Sequence, residues 1–399
     1  MNSHPNTPWS RRRFLMAAGG SILIAGCQSP SATRPAAAQK EAGPRLGRAR
    51  PDRLQMTLRE FDLPLRHAFT LSRGSKRTAR TLIVELAQDG MRGYGEGPES
   101  TYYGASLAAM RSALERARPQ IESMRCGDPA EFWHRIRPAF ENQPFGLCAL
   151  DEAAHDLWGK LRGQPVWKLW GLDCHAGPPS DYTIGIDTID VMVAKMNEFP
   201  GWPVYKIKLG TPHDVDIIRA LRQHTRAVFR VDANAGWTPE ETLRKAPALK
   251  ALGVEFIEQP LPPDDWAGMK EIFPRCTLPI IADESCLAEP DVDRCADCFH
   301  GVNIKLVKCG GITPARRMIA RARQLDLKVM IGCMTESTVG ISAIAQLRPL
   351  LDYADTDGAL LLAKDIATGV RIDRGRFVYP KVNGCGVRLL RSARTQPPV

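Results

Sequence analysis

The chain's 399 residues are enough for one large domain or two modest ones, and its 44% hydrophobic and 25% charged residues exclude disorder for most of it. The formal net charge is +10, but residues 1–26 carry +3 of this charge and residues 28–53 carry +4. From Leu54 onward the chain is nearly neutral for its size, which argues against nucleic-acid binding.

The first residues are typical of an export signal. Arg11, Arg12 and Arg13 precede an apolar run over 14–25 that is too short to span a bilayer. The run leads to Cys27 through Ile24-Ala25-Gly26, a pattern that resembles the lipidation motif of bacterial lipoproteins. We predict that residues 1–27 are a twin-arginine signal, with export to the periplasm and a lipid on Cys27 as the only membrane contact. The alternatives are an ordinary signal, or cleavage near Ala36-Ala37-Ala38 that releases a soluble periplasmic protein.

Residues 28–53 are rich in Pro, Ala, Ser and Arg, and this composition predicts a flexible linker. The sequence also holds 11 cysteines. Because the twin-arginine route carries chains that have already folded in a reducing compartment, free thiols are expected. Cys295 and Cys298 lie near His300, but a zinc site needs about four ligands, so we interpret them as buried thiols.

The segment 54–170 predicts a mixed α and β region. Strand character is found over 56–58 and over 81–86, with a basic loop over 69–77 between them. Helical periodicity then follows over 105–122 and 147–161.

From Tyr182 onward, short β-rich runs alternate with helical patterns. Eight such runs predict a (β/α)8-type barrel over 171–358, followed by a C-terminal segment over 359–399. A doubly wound open sheet would need a glycine-rich phosphate turn after its first strand, and Gly310-Gly311 after the sixth run lacks that context. The runs are 182–186, 204–209, 227–231, 256–257, 280–282, 302–307, 329–332 and residue 354.

Charged side chains stand at the ends of five consecutive runs, from the second to the sixth. Successive groups are separated by 22 to 26 residues, about one β/α unit, so the fold would place them side by side around one barrel mouth. Barrel enzymes carry their chemistry at this carboxyl-terminal rim. The residues are Lys206, Lys208, Asp232, Glu258, Asp283 and Lys305.

This constellation predicts a metal site between two bases. Carboxylates on adjacent strands repel one another unless a cation joins them, so Asp232, Glu258 and Asp283 are candidate ligands for Mg²⁺. Lys208 and Lys305 would face each other about half the barrel apart. Lys206 lies on the same strand face as Lys208. Its positive charge disfavours a charge on Lys208, so Lys208 would be a neutral amine that can act as general base. A single such residue is usually a solvated ion pair, but five groups in register favour catalysis.

With these motifs, the sequence from Leu54 onward resembles the enolase superfamily and its muconate-lactonizing subgroup. The resemblance implies an α/β fold: a modified (β/α)7β barrel of the TIM type with an α+β capping domain formed by the N-terminal and C-terminal segments. It implies Mg²⁺ as cofactor, with Asn234 and Glu284 beside the metal ligands. The mandelate-racemase-like branch would need a histidine at the seventh strand, and no histidine follows His300.

A narrower resemblance points to the dipeptide epimerases, in particular those acting on L-Ala-D/L-Glu. Asp355 and Asp357 match the pair that binds the ammonium group of the substrate in that group. Met334 lies in a motif similar to theirs, and Arg73 and Lys76 lie in a loop that resembles their specificity loop. Lys76 stands where those enzymes carry an arginine, so it supplies charge without a bidentate fork.

The resemblance implies a two-base proton transfer that needs no cofactor besides Mg²⁺ and inverts the Cα of the second residue of a dipeptide. Lys208 and Lys305 would be the bases, and Lys206 a further positive contact. The small-molecule partner would be a murein dipeptide such as L-Ala-L-Glu, and a homo-oligomer is left open. A cycloisomerase or o-succinylbenzoate synthase is the alternative within the superfamily. A non-catalytic peptide-binding lipoprotein is the alternative outside enzymes.

Overall fold

A computed structural model describes residues 53–71, 74–395 and 397–399. The predicted signal with Cys27, the linker up to residue 52 and Arg73 lie outside the described residues. Within the described part, no helix combines the length and the apolar character needed to cross a membrane.

An antiparallel sheet begins the described chain. Its three strands pair in the order β1-β2-β3, and the second and third are joined by the tight turn at Asp89 and Gly90, both with positive φ. The two predicted strands are present, but the expected loop over 69–77 is wrong, because the hairpin ladder continues through the pair Phe69 and Lys76 after a register shift. The strands are β1 (Gln55–Leu71), β2 (Gly74–Gln88) and β3 (Met91–Pro98).

Helices cover one face of this sheet. The close approach of β3 to the longest of them requires glycine, since a Cβ at Gly95 would lie 2.0 Å from the carbonyl oxygen of Ala149. Both predicted helices are confirmed, with ends that differ by up to three residues. The helices of this region are α1 (Leu107–Ser123), α2 (Pro129–Ile136), α3 (Pro144–Leu161) and α4 (Val166–Leu169).

Eight parallel strands follow and form the barrel. They pair in chain order from β4 to β11, and a bridge between Ser180 and Ala354 brings the two ends of the sheet together. The predicted barrel with a capping domain is confirmed as the fold. The strands are β4 (Tyr182–Ile184), β5 (Val204–Lys208), β6 (Val228–Asp232), β7 (Val254–Glu258), β8 (Ile280–Ala282), β9 (Gly301–Ile304), β10 (Lys328–Gly332) and β11 (Tyr353–Asp355).

The sixth barrel run is shorter than expected. β9 ends at Ile304, Lys305 begins the next turn, and the chain from Leu306 to Cys309 is helical instead of extended. The helices between the strands are α5 (Ile189–Glu198), α6 (Asp214–Arg222), α7 (Pro239–Ala251), α8 (Trp266–Ile272), α9 (Glu289–Cys295), α10 (Leu306–Cys309), α11 (Ile312–Gln324) and α12 (Thr338–Ala345).

The last segment runs back to the N-terminal region. The amide of Val166 donates to Gly384, and the Lys160 ammonium donates to Val387. These contacts join the capping sheet, its helices and the chain after the barrel. The segment contains β12 (Ala367–Thr368), β13 (Arg371–Asp373), β14 (Arg376–Val378), β15 (Arg388–Leu389) and α13 (Arg391–Arg394).

Candidate active site

The carboxyl ends of the barrel strands meet beneath the capping sheet. Parallel pairing places Lys208 beside Asp232, and Asp232 beside Glu258. Asp283 directly follows β8 and Lys305 directly follows β9, so both lie at the same rim. The regular spacing seen in the sequence therefore corresponds to neighbouring strand ends.

Three carboxylates converge at this rim. Asp232, Glu258 and Asp283 are buried, and each has an oxygen within 4.8 Å of an oxygen of the other two. Burial and the neighbouring Asp232 raise the pKa of Glu258 to about 7, although Lys206 opposes the shift. Three carboxylate oxygens at this spacing are the hard donor set that Mg²⁺ prefers, so the residues fit the metal that the sequence motifs imply.

The three predicted lysines surround the carboxylates. Lys208 Nζ lies 2.5 Å from Asp232 Oδ2, and Lys305 Nζ lies 2.8 Å from Asp283 Oδ2. Because β5 and β9 are four strands apart in a ring of eight, these two amines approach the centre from opposite sides.

Lys206 lies deeper, with 1% of its surface exposed, and contacts Asp232, Glu258 and Asp355 at 3.1, 2.7 and 2.7 Å. Burial disfavours its charge, but these carboxylates outweigh that effect and raise the pKa of Lys206 well above its usual value. The charged form of Lys206 is therefore favoured, which suits charge stabilisation.

A cavity of about 510 Å³ lies above these groups, between the barrel and the capping sheet. Lys208 and Lys305 both line it, so the two predicted bases reach the same cavity. The capping region contributes Phe69, Tyr102 and Tyr103 to the cavity, which the sequence did not single out. The predicted residues that line the cavity include Lys76, Asn234, Met334, Asp355 and Asp357.

Asp355 and Asp357 lie side by side at the end of β11. The amide of Thr183 donates to Asp357 Oδ2 at 2.7 Å. Burial and the charge of Asp355 raise the pKa of Asp357 to about 7. Asp355 is paired with Lys206, and its pKa is lowered because the nearby lysines outweigh the effect of burial. A cation that entered between the two carboxylates would relieve their repulsion.

Lys76 and Met334 also line the cavity. Loss of solvent around the amine lowers the pKa of Lys76, and the carboxylate of Glu336 and the thiol of Cys333 oppose this shift. Glu336 also fixes the neighbouring loop, since its Oε1 accepts a hydrogen bond from the Met334 amide at 2.6 Å. The structure thus brings Lys76 to the cavity, whereas Arg73 lies outside the described residues.

Asn234 and Glu284 lie next to the metal-ligand candidates. The Asn234 amide donates to Asp232 Oδ1 at 2.8 Å, and its side chain reaches Glu284 Oε1 at 3.5 Å. Asn234 has positive φ, which asparagine tolerates better than most residues. The site also contains Asn303 and Lys308, two buried residues that lie in the sequence motif around Lys305 but received no role in the sequence analysis. Their positions depend on the turn that follows Ile304, whereas the predicted run extended to residue 307.

Cys295 and Cys298 are buried and free, as interpreted from the sequence. Neither belongs to a cluster of potential metal ligands in the part of the chain that the structure describes.

A barrel that gathers lysines and carboxylates at its carboxyl-terminal rim beneath a capping sheet defines an enzyme of the enolase superfamily. Residues 54–171 match the N-terminal domain of the mandelate racemase / muconate lactonizing enzyme family, and residues 191–393 match the enolase C-terminal domain-like family. The chain belongs to the mandelate racemase / muconate lactonizing enzyme family.

The relatives of the chain include several epimerases. It is 53% identical to the L-Ala-D/L-amino acid epimerase of Flavobacterium johnsoniae over 84% of this chain and 100% of the relative. It is 35% identical to the L-Ala-D/L-Glu epimerase of Bacteroides thetaiotaomicron over 84% of this chain and 88% of the relative. The crystal structure of the dipeptide epimerase of Enterococcus faecalis with Mg and L-Leu-L-Tyr superposes with a TM-score of 0.78 at 29% identity, over 84% and 99% of the two chains. The resemblance stated from the motifs is confirmed.

Proposed function

We propose that the chain is a dipeptide epimerase that inverts the Cα of the C-terminal residue of its substrate. The observation that carries this proposal is the pair of amines, Lys208 and Lys305, which line one cavity from opposite sides of the barrel. Inversion at a carbon requires one group to remove a proton on one face and another to deliver a proton on the opposite face. The names of the relatives support the same activity.

In this mechanism, the lysine that faces the Cα proton takes it as a neutral amine, and the opposite lysine returns a proton as an ammonium. The direction of turnover decides which lysine has which role. Lys206, charged and held by three carboxylates, adds positive potential where the enediolate forms. Asp232, Glu258 and Asp283 would hold Mg²⁺, which supplies a further positive charge to the substrate carboxylate.

The proposed substrate class rests on charged side chains that line the cavity. The pair Asp355 and Asp357 suits the ammonium group of a dipeptide, and Lys76 suits an acidic second side chain. We therefore propose L-Ala-L-Glu and L-Ala-D-Glu, a murein dipeptide pair, as the preferred substrates. Because Lys76 offers one charge and no bidentate fork, the preference for Glu is expected to be incomplete. Other L-Ala dipeptides should therefore react as well, although more slowly.

The test is proton NMR of the purified protein with L-Ala-L-Glu in deuterated water, with Mg²⁺ and separately with a chelator. Loss of the Glu Cα proton together with peaks of the second diastereomer is expected only with Mg²⁺.

Lys76→Met should lower the rate on L-Ala-L-Glu by roughly tenfold, because it removes one charge-assisted contact to the substrate side chain. The rate on L-Ala-L-Leu should be unchanged. Equal slowing of both substrates would remove the role given to Lys76.

The cycloisomerase and o-succinylbenzoate synthase alternatives make a different prediction. Their acid substrates carry no ammonium group, so Asp355 and Asp357 would have no partner in them. Activity on such acids, with none on a dipeptide panel, would reverse the order of the proposals. Tight dipeptide binding without any exchange of the Cα proton would favour the peptide-binding lipoprotein.

We also propose export to the periplasm with a lipid on Cys27, from the sequence motif alone. Replacing Arg11, Arg12 and Arg13 by lysine is expected to retain the protein in the cytoplasm, because twin-arginine export reads the arginine pair. Cys27→Ser is expected to move an exported protein from the membrane fraction to the soluble periplasmic fraction. Fractionation with an antibody to the protein checks both, and unchanged distribution in both variants would contradict the proposal.

A further inference from the structure

In each of the three carboxylates at the rim, one oxygen accepts a hydrogen bond from a donor other than Lys206, Lys208 and Lys305. Asp232 Oδ1 accepts the Asn234 amide at 2.8 Å, and Glu258 Oε1 accepts the Asn303 side-chain amide at 2.8 Å. Asp283 Oδ1 accepts the Lys308 ammonium at 2.7 Å. All three carboxylates therefore share one feature, an oxygen that is hydrogen-bonded by a group outside the three lysines.

The second oxygen of each carboxylate faces the catalytic lysines. Asp232 Oδ2 and Glu258 Oε2 contact Lys206, and Asp283 Oδ2 contacts Lys305. The two oxygens of each carboxylate therefore have different partners, and the second oxygens contact the lysines that surround the proposed metal site.

Lys308 is well suited to hold this arrangement. Its side chain is 1% exposed, and its ammonium also donates to the backbone carbonyls of Asp283 and Asn303 at 2.6 and 3.1 Å. These contacts fix both the main chain and the side chain of Asp283. They also join Asp283 to Asn303, the residue that holds Glu258.

We propose that Lys308 and Asn303 make this site selective for Mg²⁺ over Ca²⁺ by limiting Asp283 and Glu258 to one oxygen each. Mg²⁺ takes six ligands and keeps several waters, whereas Ca²⁺ takes six to eight oxygens and commonly binds carboxylates through both. An oxygen that already accepts a hydrogen bond from an ammonium or an amide has one lone pair fewer for a cation, and this disfavours binding through both oxygens of the carboxylate. The inference rests on the proposed function, because it takes the three carboxylates to be the metal site.

Isothermal titration calorimetry of Mg²⁺ and of Ca²⁺ into the purified protein tests this proposal without substrate. Lys308→Met and Asn303→Leu each free one carboxylate oxygen. Each is expected to shift the ratio of the Ca²⁺ and Mg²⁺ dissociation constants toward Ca²⁺ by about tenfold, the lower end of effects seen when partners of metal ligands are removed. If the substitutions only disturbed packing, the binding of both cations would weaken equally and the ratio of their dissociation constants would not change.

Lys245→Met is the matched control. Lys245 is also buried and paired with an aspartate, Asp214, but lies in the outer helices. The ratio of the Ca²⁺ and Mg²⁺ dissociation constants of Lys245→Met should equal that of the wild-type protein. If Lys308→Met does not fold, Asn303→Leu decides the question. An unchanged ratio in the folded variants overturns the inference alone, whereas a wild-type protein that binds neither cation overturns the proposed function with it.

Discussion

Lys305→Ala is expected to abolish epimerisation, lowering its rate by at least about a thousandfold, the scale of a lost general acid or base. The remaining base, Lys208, still faces one side of the substrate. It should therefore exchange the Cα proton of one diastereomer with solvent without inverting it. Proton NMR in deuterated water, run separately on L-Ala-L-Glu and L-Ala-D-Glu, measures exchange and inversion in the same sample.

Lys208→Ala provides the mirror experiment, with exchange expected on the other diastereomer. The Lys305 variant should keep its fold, because Asp283 retains the ammonium of Lys308 at 2.7 Å after Lys305 is removed. A thermal melt of each variant checks this point. Full epimerisation by Lys305→Ala would disprove the two-base scheme, since a single amine cannot serve both faces of the Cα.

The barrel could be predicted because its strands carry a strong local signal. Short β-rich runs at intervals of about one β/α unit have few alternatives, and the charged residues at their ends fall on one rim in any closed parallel barrel. The positions of Asp232, Glu258 and Lys305 at neighbouring strand ends follow from this regularity. The spacing in the sequence was therefore enough to predict that the metal-ligand candidates lie at neighbouring strand ends.

The capping hairpin was harder to predict, since its pairing depends on contacts with the barrel. Pro64 interrupts the ladder of β1 and β2, and the residues beyond it contain turn formers and charges that favour a loop. In the structure the amide of Ile186 donates to Thr70 at 3.1 Å, which ties the hairpin to the barrel. Such tertiary contacts do not appear in local propensity.

The hydrogen bonds that the metal-ligand carboxylates accept from Asn303 and Lys308 could not be derived from the sequence. Lys308 follows the apolar pair Leu306-Val307, which favours a strand, and in that strand its side chain would have no fixed relation to Asp283. The turn into α10 after Ile304 brings the ammonium back to the Asp283 carboxylate. Only the folded chain shows that one oxygen of each metal-ligand candidate is bonded by a donor other than Lys206, Lys208 and Lys305.

Asp357→Asn is expected to lower kcat/KM for L-Ala-L-Glu by about 100-fold. The variant leaves the substrate ammonium with one carboxylate where there were two, and removing one partner of a buried charge pair costs about 3 kcal/mol or more, which corresponds to this factor. Steady-state rates measured by polarimetry or NMR give the ratio. Asp352→Asn is the matched control and should leave kcat/KM unchanged, because Asp352 lies just before the start of β11 and is paired with Arg323.

The pH profile gives this prediction a second readout. Burial and Asp355 raise the pKa of Asp357 to about 7, so Asp357 gains a proton as the pH falls below that value. The wild-type kcat/KM should therefore decline on the acid side of pH 7, and the part of this decline that Asp357 causes should vanish in Asp357→Asn.

N-acetyl-L-Ala-L-Glu, which has no ammonium group, separates recognition from folding. If Asp357 binds the ammonium, the wild-type protein and Asp357→Asn should process this substrate at similar low rates, because the interaction that the variant removes is already missing. An equal loss on the free and the acetylated dipeptide would mean that Asp357 acts on the structure of the site. The carboxylate pair would then no longer distinguish a dipeptide epimerase from the other reactions of the superfamily.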